Sequence, residues 1–223
     1  MKGYILLASL FFISLFQSAY AAKDCELWWE NNLENTVSYA TFREWLGNVN
    51  AESRVAMRNH IKKMGYKSLV DVPSGLCLDY WGLKKEEIQI SYLGVDITSK
   101  LVKLAVDQSI PVIRGSIESL PLSDNQFDVS YARHILEHLD SYERAINELI
   151  RVGRKETLIV FFIKPEIDSP DQIKPCVIDG YVIFHNIYNK TNLEKFVLSN
   201  PKTSKIEWED VNDKETILHI YLK

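Results

Sequence analysis

The sequence predicts an α/β fold on a largely parallel sheet, with a ligand site at the carboxyl ends of its strands. Three observations carry this. The runs Leu69-Val70-Asp71-Val72, Gly94-Val95-Asp96 and Phe127-Asp128-Val129-Ser130-Tyr131 are short and apolar, and each meets a turn or an acidic residue. Strands buried on both faces read this way. Gly75 follows the first run and Asp96 closes the second, 96 − 75 = 21 residues apart, close to the roughly 20 between a glycine loop and a ribose-binding acid. Finally, Ser204 to Val211 and Thr216 to Leu222 alternate as strands of an antiparallel hairpin do.

Taken in chain order, Lys2, the apolar run Tyr4 to Phe16 and the small-x-small triplet Ala19-Tyr20-Ala21 form a leader over residues 1–21. It reads as a secretory signal peptide cut after Ala21, which would send the chain into an export pathway. The alternative is an uncleaved membrane anchor over residues 4–22, weakened by Ser9, Ser14, Gln17 and Ser18. Residues 22–65 then read as helical cover. Val37 to Leu46 is a helix stopped by Gly47, and Asn50 caps a second helix that runs through Val55, Met57 and Ile61 to Gly65. Trp28, Trp29, Tyr39 and Trp45 are spaced either as core or as an aromatic lid.

Residues 66–223 hold the α/β domain. The glycine loop is Pro73-Ser74-Gly75, where a missing Cβ allows close approach of a ligand to the backbone. After the strand ending at Tyr131, His134 to Leu139 reads as a helix start, Ser141 as the cap of a helix over Tyr142 to Val152, and Glu156 to Ile163 as a buried strand. On such a helix His134 and His138 share one face, as an acid/base or metal pair would. No third ligand accompanies them, so no metal is expected there. Gly180 to Tyr188 is rich in aromatic and hydrogen-bonding groups, with His185 and Asn186 placed to meet a substrate, and Thr191 caps a helix from Asn192 to Leu198.

Composition bounds the function. The chain has 223 residues, 46% hydrophobic and 25% charged, and a net charge of −4. That is ordinary for one soluble globular domain, and with no cluster of Lys and Arg among aromatics it argues against nucleic acid as a partner. Cys25, Cys77 and Cys176 have no metal-ligand spacing, and their odd number after cleavage fits no disulfide framework. Asn189-Lys190-Thr191 is a glycosylation sequon. Nothing in the sequence fixes an oligomeric state.

A family resemblance rests on two further stretches. Val112-Ile113-Arg114-Gly115-Ser116-Ile117-Glu118-Ser119-Leu120-Pro121-Leu122 with Asp124 to Asp128, and Tyr131-Ala132-Arg133-His134-Ile135-Leu136-Glu137-His138-Leu139, resemble the adenine-side loop, fourth strand and "LEH" segment of class I S-adenosylmethionine-dependent methyltransferases of the type 11 group. The resemblance spans roughly residues 66 to 163. It implies a Rossmann-like seven-stranded, mostly parallel sheet with helices on both faces and a C-terminal antiparallel hairpin. It also implies S-adenosylmethionine as cofactor and a small-molecule methyl acceptor as partner. In that family's terms Asp71 orients the loop, and Pro73, Ser74 and Gly75 pass beneath the methionine part. Asp96 holds the ribose hydroxyls, Ile97 lies on the adenine face, Ser116 and Ile117 flank its edge, and Tyr131 to Arg133, Tyr131 and Arg133 above all, line the pocket below the methyl group. Methyl transfer needs a base only for a protonated nucleophile, and His134, His138 and His185 are the candidates.

The departures from that pattern are specific. The usual Asp-x-Gly-x-Gly-x-Gly loop keeps only Gly75, with Pro73 in the first glycine place and Cys77, a bulkier residue, in the last; Ser116 replaces the usual acid. Two rivals follow: a nicotinamide dehydrogenase, disfavoured because its Tyr-x-x-x-Lys, Tyr80 to Lys84, falls just after the loop, and an exported non-catalytic binding domain that has lost the cofactor.

Overall fold

The computed structural model describes residues 26–32 and 48–223. The leader, the helix expected over Val37 to Leu46, Tyr39, Trp45 and Cys25 lie outside them. Among the described residues nine strands form two sheets: β1 Ser68–Asp71, β2 Ser91–Asp96, β3 Val112–Arg114, β4 Phe127–Arg133, β5 Gly153–Phe161, β6 Pro175–Ile178, β7 Tyr181–Phe184, β8 Thr203–Asp210 and β9 Thr216–Leu222. The main sheet has seven strands in the order β3-β2-β1-β4-β5-β9-β8. Strands β1 to β5 are parallel, and β9 and β8 are added antiparallel. The Rossmann-like seven-stranded architecture is therefore present, with its C-terminal hairpin. Because the order turns back between β1 and β4, the loops leaving their carboxyl ends part and open a crevice there.

Strand β5 shows why an unbroken apolar run forms a central strand. Leu158 and Val160 enter one core with Met57, Ile61, Leu69, Val129 and Ile217. Ile159 and Phe161 enter the other with Val70, Ile146, Leu149, Ile150, Leu218 and Ile220. The first core is roofed by α1 (Glu52–Met64), which contributes Met57 and Ile61. The second is roofed by α4 (Glu143–Val152) and α5 (Lys190–Ser199). Two further helices, α2 (Leu78–Lys85) and α3 (Ser99–Asp107), follow β1 and β2. Among the described residues no helix is long and apolar enough to cross a membrane.

Local signals held unevenly. Gly65 ends α1 in the left-handed conformation, φ 66°, with its N–H returned to Ile61, as a glycine C-cap should. The start of α1 is capped by no side chain and begins after Ala51, not Asn50. Helix α4 begins after Tyr142 rather than Ser141. Helix α5 is capped by Asn189, whose side chain accepts the Asn192 N–H at 2.8 Å, rather than by Thr191. The same Asn189 is buried, and its amide donates to the carbonyls of Ile167 (2.9 Å) and Ser169 (2.6 Å). In the folded chain the sequon asparagine is thus sealed into a helix cap. The strand expected over Glu156 to Ile163 begins three residues earlier, at Gly153.

The largest unforeseen element is the β6–β7 hairpin. Asp179 and Gly180 form its two-residue turn with φ 52° and 83°, the left-handed pair that Asp-Gly turns supply.

Tight packing at β2 gives a direct test. A Cβ on Gly94 would lie 2.8 Å from Ser74 Cβ and 2.9 Å from Val112 Cγ2. Gly94→Ala should therefore lower unfolding free energy by about 1–3 kcal/mol in urea titrations, and an unchanged midpoint would show that the Ser74 loop yields freely.

Candidate functional site

A cavity of about 620 Å³ opens at the carboxyl ends of β1 to β5, within the range of small-molecule sites. Its first wall is the loop after β1. Gly75 has φ +51° and no atom within 4 Å of where a Cβ would be, so a side chain there is strained by backbone conformation and not by crowding. Its N–H donates to Asp96 Oδ2 at 2.9 Å, and the Thr98 N–H donates to Asp96 Oδ1 at 2.9 Å. Asp96 is nearly fully buried and still lines the cavity. Burial raises its pKa, and the two N–H groups oppose that rise.

Pro73, Ser74, Ile97, Ser116, Ile117 and Arg133 also line this cavity, but Asp71 and Tyr131 do not. Asp71 lies beneath the loop and accepts the Tyr92 hydroxyl at 2.7 Å; burial pushes its carboxyl up to about 7. Tyr131, expected below a methyl group, is fully buried in the core under α1. Alternation along β4 explains this, since the odd positions Val129 and Tyr131 face that core. Cys77 corrects a second expectation. It stands left-handed (φ 55°) before α2 and turns its thiol into the same core, so its bulk does not enter the cavity. The Ser116 hydroxyl is spent locally, accepting the Glu118 N–H at 3.2 Å.

At the cavity's other end stand three histidines and Phe162. The segment Leu136–His138 is a single 3₁₀ turn, and His134 is left-handed at φ 55°, so the shared helix face expected for His134 and His138 does not exist. The two rings instead converge on Phe162, at 5.2 and 5.3 Å, and His185 lies 5.2 Å from His138. His134 Nε2 meets Glu215 Oε1 at 2.6 Å; Arg133 Nη2 donates to the same oxygen at 2.8 Å. Burial opposes the Glu215 charge, but these partners hold its pKa at about 2. His138 donates from Nδ1 to the Phe184 carbonyl at 2.8 Å, and burial drives its pKa down to about 4. A neutral imidazole with its proton on Nδ1 carries its lone pair on Nε2, so His138 can accept a proton there.

Glu137, between these histidines, does not face the cavity. Its buried carboxylate accepts the N–H groups of Phe162 (2.7 Å) and Ile163 (3.2 Å) and so sets the chain leaving β5 against the cavity. Asn186 likewise is structural: its N–H donates to the Glu137 carbonyl and its Oδ1 accepts the Lys174 N–H, each at 2.9 Å.

Several lining residues have no local sequence signal. Arg54 of α1 and Asp79 of α2 form an ion pair at the cavity edge, with Arg54 Nε and Asp79 Oδ1 buried and without hydrogen-bond partners. Glu118 lines the cavity from the loop after β3, its pKa raised by burial. Residues 26–32 form a helical flank. Trp29 lines the cavity and Trp28 packs edge-on against it at 4.9 Å. Trp28 Nε1 donates to Asp179 at 3.2 Å and Asn31 Nδ2 to the Tyr181 hydroxyl at 2.9 Å, joining this flank to the β6–β7 hairpin.

Comparison with known proteins agrees with the fold. The family described as a methyltransferase domain matches residues 74–161. The malonyl-[acyl-carrier protein] O-methyltransferase of Pectobacterium atrosepticum is 32% identical over 69 residues, 30% of this chain and 27% of that protein. An uncharacterised protein of Methanocaldococcus jannaschii is 32% identical over 71 residues, 32% of this chain and 35% of its own. The chain thus aligns with only about a third or less of these relatives' length. Among solved structures, magnesium protoporphyrin IX methyltransferase from Synechocystis, with S-adenosylhomocysteine bound, superposes with TM-score 0.64 at 8% identity over 91% of this chain and 100% of that one. The 1,6-didemethyltoxoflavin-N1-methyltransferase of Burkholderia thailandensis gives 0.59 at 14% identity over 86% and 87%. At such identities the superpositions establish the fold.

Two outcomes follow. Glu137→Ala leaves the N–H groups of Phe162 and Ile163 without their acceptor and should cost about 1–3 kcal/mol in urea unfolding. His138 is depressed to about 4, so its stabilising share is complete above the unfolded value of about 6.5 and disappears as pH falls through about 4. Asp71 and Glu137, both raised by burial to about 7, act in the opposite sense over that range. The histidine's share therefore shows as a difference: His138→Gln should lose less stability than wild type on acidification, and parallel curves would refute a buried neutral imidazole.

Proposed function

We propose that this chain, similar to class I S-adenosylmethionine-dependent methyltransferases in sequence over residues 74–161 and in fold over most of its length, transfers a methyl group from S-adenosylmethionine to a small molecule bearing a hydroxyl or amine. The observation that carries the reading is Asp96, fixed by two backbone N–H groups at the wall of the cavity. Each carboxylate oxygen spends one lone pair inward, on Gly75 or Thr98, and keeps another for a ribose hydroxyl. The Arg54–Asp79 pair fits the amino-acid end of the cofactor, since a zwitterion offers each partner a counter-charge and the buried Nε and Oδ1 lack any other bond. Ile97, Leu101 and Ile117 supply apolar surface for a base.

When bound, the cofactor supplies a methyl group made electrophilic by its sulfonium, so the protein's work is chiefly alignment and exclusion of water. Phe162, Ile163 and Leu139 line the histidine end and keep it dry. His138 takes the acceptor's proton on Nε2 while Phe184 holds its Nδ1 proton in place. His134, tied through Nε2 to Glu215, positions the wall. The didemethyltoxoflavin and magnesium protoporphyrin methyltransferases share this fold, which supports a small acceptor.

Calorimetric titration with S-adenosylmethionine and S-adenosylhomocysteine tests the reading. Wild type should bind at micromolar concentration. Asp96→Ala and Gly75→Val should each lose at least about tenfold, the latter because valine resists the left-handed backbone. A folded wild type silent at millimolar cofactor would leave a non-catalytic binding domain, and variants that bind as wild type does would exclude this pocket. With methyl transfer established, His138→Gln should lower kcat by about 10²-fold or more, leaving cofactor affinity unchanged.

A further inference from the structure

On the sheet face covered by α1, three groups far apart in the chain meet near the amino-terminal end of β5, away from the cavity at the strands' carboxyl ends. They are His60 of α1, Glu156 of β5 and His219 of β9, and one ligand-capable atom from each lies within 4.8 Å of the others. Glu156 is fully buried. Its Oε2 accepts His60 Nε2 at 2.7 Å and the Tyr66 hydroxyl at 2.5 Å, and its Oε1 meets His219 Nδ1 at 2.9 Å. His219 Nε2 lies 3.2 Å from Glu209 Oε2.

We propose that this cluster is a divalent transition-metal site, zinc being the expected ion, with His60 Nε2, His219 Nδ1 and a Glu156 oxygen as its protein ligands. Two imidazoles and a carboxylate are a borderline-soft set that suits zinc and its first-row neighbours rather than magnesium or calcium. Outer partners for the ligands are already built. Glu209 accepts from His219 Nε2, which places the proton there and aims the Nδ1 lone pair at the cluster, while Tyr66 orients the Glu156 carboxylate. Tetrahedral zinc needs ligand atoms about 3.3 Å apart, so no pair of the trio need close by more than about 1.5 Å, while the nitrogen–oxygen pairs now at 2.7 and 2.9 Å open slightly as the ion enters between them. A second cavity, of about 520 Å³, is lined by His60 and Glu209, one ligand and one outer partner, so the cluster is approached from that side; Glu156 and His219 lie behind them.

Without an ion the arrangement requires His219 to donate from both nitrogens, as an imidazolium between two carboxylates. A metal ion supplies that positive charge directly and replaces the proton. It would bind the folded chain alone, because α1, β5 and β9 bring the ligands together only there, and so would stabilise it by mass action. The inference is independent of the methyltransferase reading.

The test uses the full chain, purified without a histidine tag and stripped with chelator. Titration with Zn²⁺ should show one ion per chain and raise Tm. Co²⁺ should give the visible absorption of a four-coordinate ion. His60→Gln should abolish the Co²⁺ absorption, and Glu209→Gln should weaken Zn²⁺ binding about 10–100-fold. Both substitutions lie toward the cluster's accessible side, so they keep the proposal testable should Glu156→Gln fail to fold. A folded wild type that binds neither ion stoichiometrically, a Tm indifferent to Zn²⁺, or a Co²⁺ spectrum unchanged in His60→Gln would each overturn the site and leave a purely structural ion-pair network.

Discussion

Two backbone N–H groups fix the carboxylate of Asp96, one from the loop after β1 and one from the loop after β2. Parallel strands deliver their loops to one edge of the sheet but do not by themselves hold them together. A nearly buried carboxylate with a donor on each oxygen does so, because its charge cannot be left unsolvated. From that junction the left-handed Gly75 presents bare backbone to the cavity, and Ser74 can lie against β2 only because Gly94 has no side chain. With a single loop glycine the chain thus leaves open space at that point of the cavity wall. Its Cys77 points into the core.

Buried or partly buried carboxylates recur as organisers elsewhere. Glu137 gathers the N–H groups after β5, Glu215 gathers Arg133, His134 and Ser53, and Glu156 gathers His60, His219 and Tyr66. Each joins elements that are not consecutive in the chain, and each uses more than one donor. Breaking one leaves several polar groups stranded, which makes these places costly to alter.

The strands were legible because runs such as Leu158-Ile159-Val160-Phe161 are apolar on both faces, and the hairpin of β8 and β9 because it alternates. That Gly75 and Asp96 would meet at the wall of a cavity was legible because they are a local signature at fixed spacing. Helix starts were misplaced by one or two residues, since Asn50, Ser141 and Thr191 are plausible caps and packing chose their neighbours. The segment from His134 to Leu139 has helical composition, yet the left-handed turn at His134 and the hold of Glu137 on Phe162 stop a helix from forming. The β6–β7 hairpin carries its own mark in Asp179-Gly180, but its strands, four residues each, are too short to stand out from the surrounding polar sequence. Arg54 and Asp79 were not readable at all, and neither was the trio at Glu156. His60 and His219 stand 96 and 63 positions from that glutamate, and only the folded sheet makes them neighbours.

The contacts that join helix residues 26–32 to the β6–β7 hairpin are of a different grade. They are exposed hydrogen bonds from Trp28 to Asp179 and from Asn31 to Tyr181, the kind that open readily because water replaces them at little cost. Both partners flank the cavity, through Trp29 on one side and His185 on the other. The floor of the cavity is thus held by buried bonds and this part of its rim by exposed ones. A substitution at the rim therefore costs less stability than one at the floor, and the rim is where this fold can vary most freely.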